Sequence, residues 1–578
     1  MSSAPGGGPR RFRRRRGLRA IAAGGLLLGV AWRFWPCAGD ALEHYPAATH
    51  LLDREGHPLR ILPGPEALVC DPISLEATGD WAWKAIVAVE DKRFFRHPGL
   101  DPVAIGRAVL QNLAGGRVIS GASTLSSQVI RMTEPRPRTL PAKIVEGWRA
   151  LQMDGRLSKP EILEQYLNRA PMGGPLTGVA SASRAYFGKA PRDLDLAEAA
   201  LLMGLPQSPS RLRPTRHPER ARERRHRVLA RMRACGYITE DQFQAADEAP
   251  VVLRVCSLPF AAPHFCELAR TRFAEAPRCT EAPHRVRTTL DPALQALAEQ
   301  TLGRDAEDRR QRGVTGGAIV ILEVATGAVR ALAGSPDFFD VDAAGQVNGA
   351  IAPRSPGSAL KPFAYALAMD RGLVTAVSVI DDEPIAYRDY RPENFDHRFN
   401  GPVTVREALA QSLNIPALRV AEAVGLAPLL NLLRDVGLTT LDRPADAYGL
   451  SLVLGTAEVT LLDLTAAYGA LARGGSALPW RVWEAAPASP PRPVLSPEAA
   501  YLVTDILEGE TRLIPLRGHA ADTRAPRVAW KTGTSSGQRD AWTVAYNPEY
   551  VVGVWIGNPS GAGAALLVLL HLATGCFV

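Results

Sequence analysis

Ser358-Ala359-Leu360-Lys361 puts a hydroxyl and an amine three residues apart at the head of a helix-forming run, where positions i and i+3 share one face. A serine hydroxyl is a weak nucleophile at its free pKa and needs a base beside it; a desolvated lysine can be that base. The chemistry this allows is acyl transfer through a serine ester. One such match in a chain of 578 residues means little. Two further elements follow it in order, Ser412-Leu413-Asn414 and Lys531-Thr532-Gly533-Thr534-Ser535. Ser412 can relay a proton to a leaving amine, and Asn414 can hold a substrate amide. Lys531, Thr532 and Thr534 can hold a terminal carboxylate, while Gly533 lets the strand lie close to an extended peptide. The backbone N–H groups of Ser358 and Thr534 are the candidate oxyanion donors.

A second chemistry begins upstream. In Glu90-Asp91-Lys92-Arg93-Phe94-Phe95-Arg96-His97-Pro98-Gly99 a carboxylate stands behind an apolar helix, a setting that suits general acid or base duty. Gly121-Ala122-Ser123-Thr124-Leu125-Ser126-Ser127-Gln128, Lys143-Ile144-Val145-Glu146, Ile162 to Asn168 and Gly204-Leu205-Pro206-Gln207-Ser208-Pro209 follow in order. Lys143 and Arg138, with Ser123, Thr124 and Gln128 as hydrogen-bond donors, can meet the charge of an anionic leaving group. No thiolate metal site is expected. No cofactor is required, although a divalent cation such as Mg²⁺ could bridge Glu146 and phosphates; one carboxylate alone makes a weak site.

The serine, Ser-x-Asn and Lys-Thr-Gly elements in that order are the acyl-transferase set of penicillin-binding proteins and class A β-lactamases. The longer stretch Arg354 to Phe363, and Thr288-Thr289-Leu290-Asp291 with Gln295, resemble high-molecular-weight penicillin-binding proteins, which disfavours a free-standing β-lactamase. The upstream succession, from about Trp81 to Pro214, resembles the family 51 glycosyltransferases that polymerise lipid II. Together the chain resembles a class A bifunctional penicillin-binding protein. Within that family, Tyr166 to Gly174 and Pro263-His264-Phe265 resemble the 1C type.

That resemblance implies a lysozyme-like, mostly α glycosyltransferase domain and an α/β transpeptidase domain of the β-lactamase type. It implies Glu90 as the base that takes the proton from the acceptor sugar, Glu146 as the second carboxylate near the donor pyrophosphate, and substrate-binding roles for Asp91, Phe94, His97 and Gly121. Its partners would be lipid II, nascent glycan, D-Ala-D-Ala stem peptides, the membrane, and β-lactams as inhibitors. Two alternatives stay open: a lytic transglycosylase for the first half, and a weak carboxypeptidase or non-catalytic peptide-binding scaffold for the second.

The elements that must position these residues read as follows. Helical periodicity runs from Trp81, through Ile162 to Leu167, to Ala197 to Leu205. Gly317 to Glu323 and Ala328 to Gly334 read as a hairpin, helices are expected at Ser358 to Asp370 and Val405 to Ala423, and late strands at Arg527 to Trp530, Ala541 to Tyr546 and Val551 to Ile556. The expected divisions are a basic tail at 1–17, an anchor at 18–38, a glycosyltransferase domain at 39–215, a linker at 216–285 and a transpeptidase domain at 286–578. Within the linker, Arg216 to Arg233 reads as a solvated amphipathic helix. The run Ala564 to Ala573 reads as a final core helix, and a compressed end could loosen the sheet around Lys531.

The formal charge of +8 suggests nucleic acid until it is located. Arg10, Arg11, Arg13, Arg14, Arg15, Arg16 and Arg19 carry most of it and run straight into the uncharged apolar segment Ala20 to Trp32. That order is a positive-inside export signal, either an inner-membrane anchor or a cleaved signal peptide, and both place the rest in the periplasm. The seven cysteines include no Cys-x-x-Cys pair; an oxidising compartment permits a disulfide among Cys256, Cys266 and Cys279.

Overall fold

The computed structural model describes residues 42, 44–115, 123–137, 139–255, 257–276, 284–304, 306–386, 391–485, 489–509 and 527–563. The basic tail and anchor, Gly121, Arg138, Cys256, Cys279 and the run from Ala564 lie outside them. Cys266 is buried with a free thiol. Among the described residues no single helix is long and apolar enough to cross a membrane. The chain divides into two compact units, one built on Ile61–Leu258 and the other on the residues from Arg285 onward with Leu51–Arg60.

The first unit is helical: α1 (Asp80–Glu90), α2 (Pro102–Gly115), α3 (Leu125–Thr133), α4 (Leu140–Asp154), α5 (Lys159–Arg169), α6 (Val179–Phe187), α7 (Leu196–Gly204), α8 (Pro218–Ala234) and α9 (Glu240–Glu248). Their starts are written locally. Thr124, Ser158, Asp195 and Thr239 each accept the N–H of the third residue on, with reciprocal capping boxes opening α3, α5, α7 and α9. One core gathers Ile86 and Val87 of α1, Val129 of α3, Tyr166 and Leu167 of α5, Leu201 of α7, and Val228, Leu229 and Met232 of α8.

The presence of α8 in that core corrects the expected linker at 216–285. Ala221, Val228, Leu229 and Met232 recur at helical spacing and are buried, with α8 packed on α1 and α7. The apolar stripe outweighs the arginines around it. Two of those arginines, Arg224 and Arg225, are themselves buried.

In the second unit β1 (Gly316–Glu323), β2 (Val329–Ala333), β3 (Ala529–Thr534), β4 (Asp540–Tyr546) and β5 (Tyr550–Gly557) form one sheet in the order β3-β4-β5-β1-β2, antiparallel throughout. Nearly every residue of β1 is buried because both faces are covered: α10 (Pro292–Arg304) places Ala298 and Leu302 against Ile319, Ile321, Val552 and Val554, and α14 (Leu461–Ala472) packs on β5 and β1. Continuous apolar strands need such double cover.

Around the sheet edge lie α11 (Lys361–Asp370), α12 (Val405–Ala410), α13 (Asn414–Val424) and α15 (Pro497–Glu508). The single helix expected over Val405 to Ala423 is broken, because Ser412 takes a left-handed backbone, φ 61°, which ends one helix and lets Asn414 begin the next. Edge strand β3 is paired along its whole length with β4, from Ala529↔Tyr546 to Thr534↔Ala541. Asn558, just beyond β5, accepts from Thr315 and donates to Gly313 and Ala562 carbonyls, tying that end of the sheet down.

Candidate active sites

In the first unit the C-terminal residue of α1, Glu90, meets α3 and α8. Gln128 Nε2 donates to Glu90 Oε2 at 2.9 Å, and Arg224 Nη2 donates to Oε1 at 3.4 Å. Tyr166 on α5 donates to Gln128 Oε1 at 3.4 Å, so the amide is held from both ends. The Glu90 side chain keeps 17% of its surface open.

One turn further along α3, Arg131 donates from Nε and Nη2 to the two oxygens of Glu146 at 3.1 and 2.6 Å, and from Nη2 to Ser123 Oγ at 3.2 Å. This fork geometry is the strong form of a guanidinium–carboxylate pair. The carboxylate in turn holds the Arg131 guanidinium above its ordinary pKa. Gln128 and Arg131, three residues apart, thus assign one face of α3 to two glutamates. Lys143, exposed one turn before Glu146 on α4, adds a free-reaching cation.

Several residues expected at this substrate surface are inside the unit instead. Asp91 and His97 are buried against each other: His97 Nε2 lies 3.0 Å from both Asp91 oxygens, and Leu125 N–H donates to Asp91 Oδ2. Because a carboxylate only accepts, that ring nitrogen carries the proton. Phe94 is fully buried, with the Lys159 ammonium 4.6 Å from its ring centre. Thr124 spends its hydroxyl on Gly99 O and on capping α3. These four hold the 91–99 turn against the start of α3 and so position Glu90, Gln128 and Arg131. Arg131 and Arg224 escaped the sequence reading. For Arg224 a signal existed, its place on the Ala221–Val228 stripe; for Arg131 it was only the three-residue spacing from Gln128.

In the second unit Ser358 sits in the 3₁₀ turn Gly357–Leu360 that leads into α11. Lys361 is completely buried, and desolvation pushes its pKa down to about 7. Its donors reach Ser412 O at 2.6 Å, Asn414 Oδ1 at 2.7 Å and, weakly, Ser412 Oγ at 3.5 Å. Lys531, equally buried, donates to the same Ser412 Oγ at 2.8 Å and to Thr532 O at 2.7 Å. The three motifs are therefore one network centred on Ser412. Lys531 points into it rather than outward to a carboxylate, whereas Thr532 and Thr534 are on the more open positions of β3.

Gly533 has a different task from the one its sequence position suggested. A Cβ there would overlap Pro356 O, one at Gly357 (φ 54°) would overlap Thr534 backbone, and one at Gly455 would overlap Gly357. The turn that carries Ser358 and strand β3 touch backbone to backbone because neither has a side chain at the contact. If Ser358 is the acylated residue, Gly533→Ala is expected to slow labelling by a fluorescent penicillin on the order of a hundredfold, the cost of displacing a reacting group by about an ångström. Unchanged labelling kinetics would show that the contact is dispensable.

Residues 65–233 match the family described as Transglycosylase, and residues 317–567 match the Penicillin binding protein transpeptidase domain. Penicillin-binding protein 1C of Escherichia coli K12 is 40% identical over 546 residues, covering 93% of this chain and 68% of that protein. Penicillin-binding protein 1A of Aquifex aeolicus is 30% identical over 594 residues, 84% of this chain and 79% of that one. Among solved structures, penicillin-binding protein 1A from Haemophilus influenzae aligns over 92% of both chains with a TM-score of 0.63 at 20% identity, a likeness of fold.

Proposed function

The chain belongs to the penicillin-binding proteins that join a transglycosylase domain to a transpeptidase domain, enzymes of peptidoglycan synthesis, and from that premise we propose how its residues perform the two reactions. In the first unit Glu90 takes the proton from the acceptor sugar hydroxyl. The oxygen then attacks C1 of a lipid-linked donor, the C1–O bond to pyrophosphate breaks, and the lipid pyrophosphate leaves with inversion at C1. The substrate is lipid II and the product a lengthened glycan strand. Arg131, clamped by Glu146, and Lys143 face the leaving charge.

The residues around Glu146 do not fit a protein-held divalent ion. Both of its oxygens are engaged by Arg131, and the described residues contain no group of three His, Cys, Asp or Glu side chains able to hold a metal. Arg131→Ala is expected to slow lipid II polymerisation about a hundredfold, the scale of losing one preorganised charge-stabilising donor. Arg131→Lys should rescue little, because a point charge cannot reproduce the fork; the rate of glycan formation from labelled lipid II decides both.

In the second unit Ser358 attacks the penultimate D-alanine carbonyl of a stem peptide. Its proton passes to neutral Lys361, D-alanine leaves with a proton relayed through Ser412, and the acyl-enzyme passes to an acceptor amine. The observation that carries this reading is the completely buried Lys361, held by Ser412 O and Asn414 Oδ1, with Lys531 on the Ser412 hydroxyl beside it. A hydroxyl oxygen accepts while its single proton is donated elsewhere; with Lys531 donating to the Ser412 oxygen, the proton of Ser412 is left for the substrate side. Likewise, a neutral Lys361 keeps two N–H groups for Ser412 O and Asn414 Oδ1 and a lone pair for Ser358. Thr532 and Thr534 receive the substrate carboxylate, and the N–H groups of Ser358 and Thr534 receive the oxyanion.

The arginine-rich start followed by an apolar segment supports a single N-terminal membrane span with both units in the periplasm. A lipid II assay with and without penicillin reads both sites: glycan should form in each, cross-links only without the drug. Absence of glycan would overturn the first assignment, and drug-insensitive cross-links the second.

A further inference from the structure

Asn414 works in the network above only if its amide oxygen, not its nitrogen, faces Lys361. The two ends of an amide are nearly equal in size, so hydrogen-bond partners alone decide which way it points. For Asn414 the deciding partner lies outside all three motifs. Its Nδ2 donates to Glu393 O at 2.7 Å, and its backbone N–H donates to Asn394 Oδ1 at 2.8 Å.

Asn394 is buried, 3% exposed, and its orientation is fixed in turn. Its Nδ2 donates to both oxygens of Asp382 at 2.9 Å and to Arg398 O at 2.8 Å. Asp382, fully buried, ends the strand Val379–Asp382 and pairs in register with Gly401. It also accepts from Asn400 N and Nδ2, at 2.9 and 2.8 Å. A carboxylate offers only acceptors, so it turns the NH₂ of Asn394 toward itself and leaves the oxygen for Asn414.

We propose that Asp382 and Asn394 are positioning residues for acyl transfer: Asp382 orients Asn394, Asn394 fixes the backbone N–H of Asn414, and the carbonyl of Glu393, next to the anchored Asn394, takes Asn414 Nδ2 and so leaves the Asn414 oxygen toward Lys361. Neither touches Ser358. Turned over, the Asn414 amide would present N–H to N–H at Lys361, removing one of its two short acceptors and leaving buried donors unmet, which is costly in a dry site. The inference rests on Ser358 being the acylated residue.

The test is the rate constant for acylation of the full chain by a fluorescent penicillin between about pH 5.5 and 9, with thermal unfolding of each variant. Wild type should label and Ser358→Ala should not; failure of wild type to label overturns the assignment of Ser358 itself. Asn394→Leu is expected to acylate tenfold or more slowly, roughly the loss of one oriented contact, and its acid limb should move to lower pH. The sign follows because hydrogen bonds to an ammonium favour its charged form, so losing the Asn414 oxygen makes Lys361 easier to deprotonate. Lys531, which shares Ser412 Oγ with Lys361, and Tyr365, one turn further along α11, are unaltered in this variant. Asp382→Asn, isosteric and able to stand in if Asn394→Leu does not fold, should move rate and limb the same way, since an amide there no longer dictates which end of Asn394 turns toward it. With wild type labelling, variants as fast as wild type, or slower ones with an unmoved acid limb, would overturn the positioning role.

Discussion

Glu90→Gln is expected to stop glycan polymerisation, with a loss at the upper end of the 10²- to 10⁴-fold range that general-base catalysis supplies. The substitution is nearly isosteric and keeps an oxygen for the Gln128 amide, so the side chain should stay in place. What it lacks is a second lone-pair oxygen able to take a proton, and its NH₂ would face Arg224, donor against donor. Lipid II extension followed on a gel measures the loss. Penicillin labelling at Ser358 should persist, since that serine lies in the other compact unit, and thermal unfolding of the variant checks that the first unit stays folded. Polymerisation at the wild-type rate would sink the role of Glu90.

Ser358→Ala should abolish penicillin labelling and cross-linking while leaving glycan formation intact. Removing a serine nucleophile from a hydrolase of comparable chemistry costs on the order of 10⁶ in rate, so no residual acylation should be seen. Persistent labelling would mean that another nucleophile is acylated. In wild type the same measurement has a defined pH dependence. Burial lowers Lys361 from the usual lysine value to about 7, so its neutral, proton-accepting form is the minority below that pH. Acylation should therefore fall about tenfold per pH unit on the acid side and level off above neutrality. A profile flat from pH 5.5 to 9 would exclude Lys361 as the base.

The chemistry was legible from the chain because it is written in short motifs whose internal spacing fixes which residues share a turn or strand. Ser358 with Lys361, Ser412 with Asn414, and Lys531 near a sheet edge needed no tertiary information; nor did the helix that runs from Trp81 up to Glu90. The hairpin of β1 and β2 was equally legible, since an unbroken apolar run next to a Thr-Gly turn has few other uses.

What each motif residue touches was not legible, because those partners are separated by 38 residues for Glu90 and Gln128, 134 for Glu90 and Arg224, and 119 for Ser412 and Lys531. Arg224 looked like one more solvated arginine until α8 buried it. Asp91 and His97 looked like ligands for substrate, yet each found the other first. Ser412 looked like the middle of a helix, and only its left-handed backbone brings its carbonyl to Lys361. Local spacing fixes the faces of single elements. Which faces meet, and hence which polar groups are left for the substrate, is decided by the burial of apolar stripes that place those elements together.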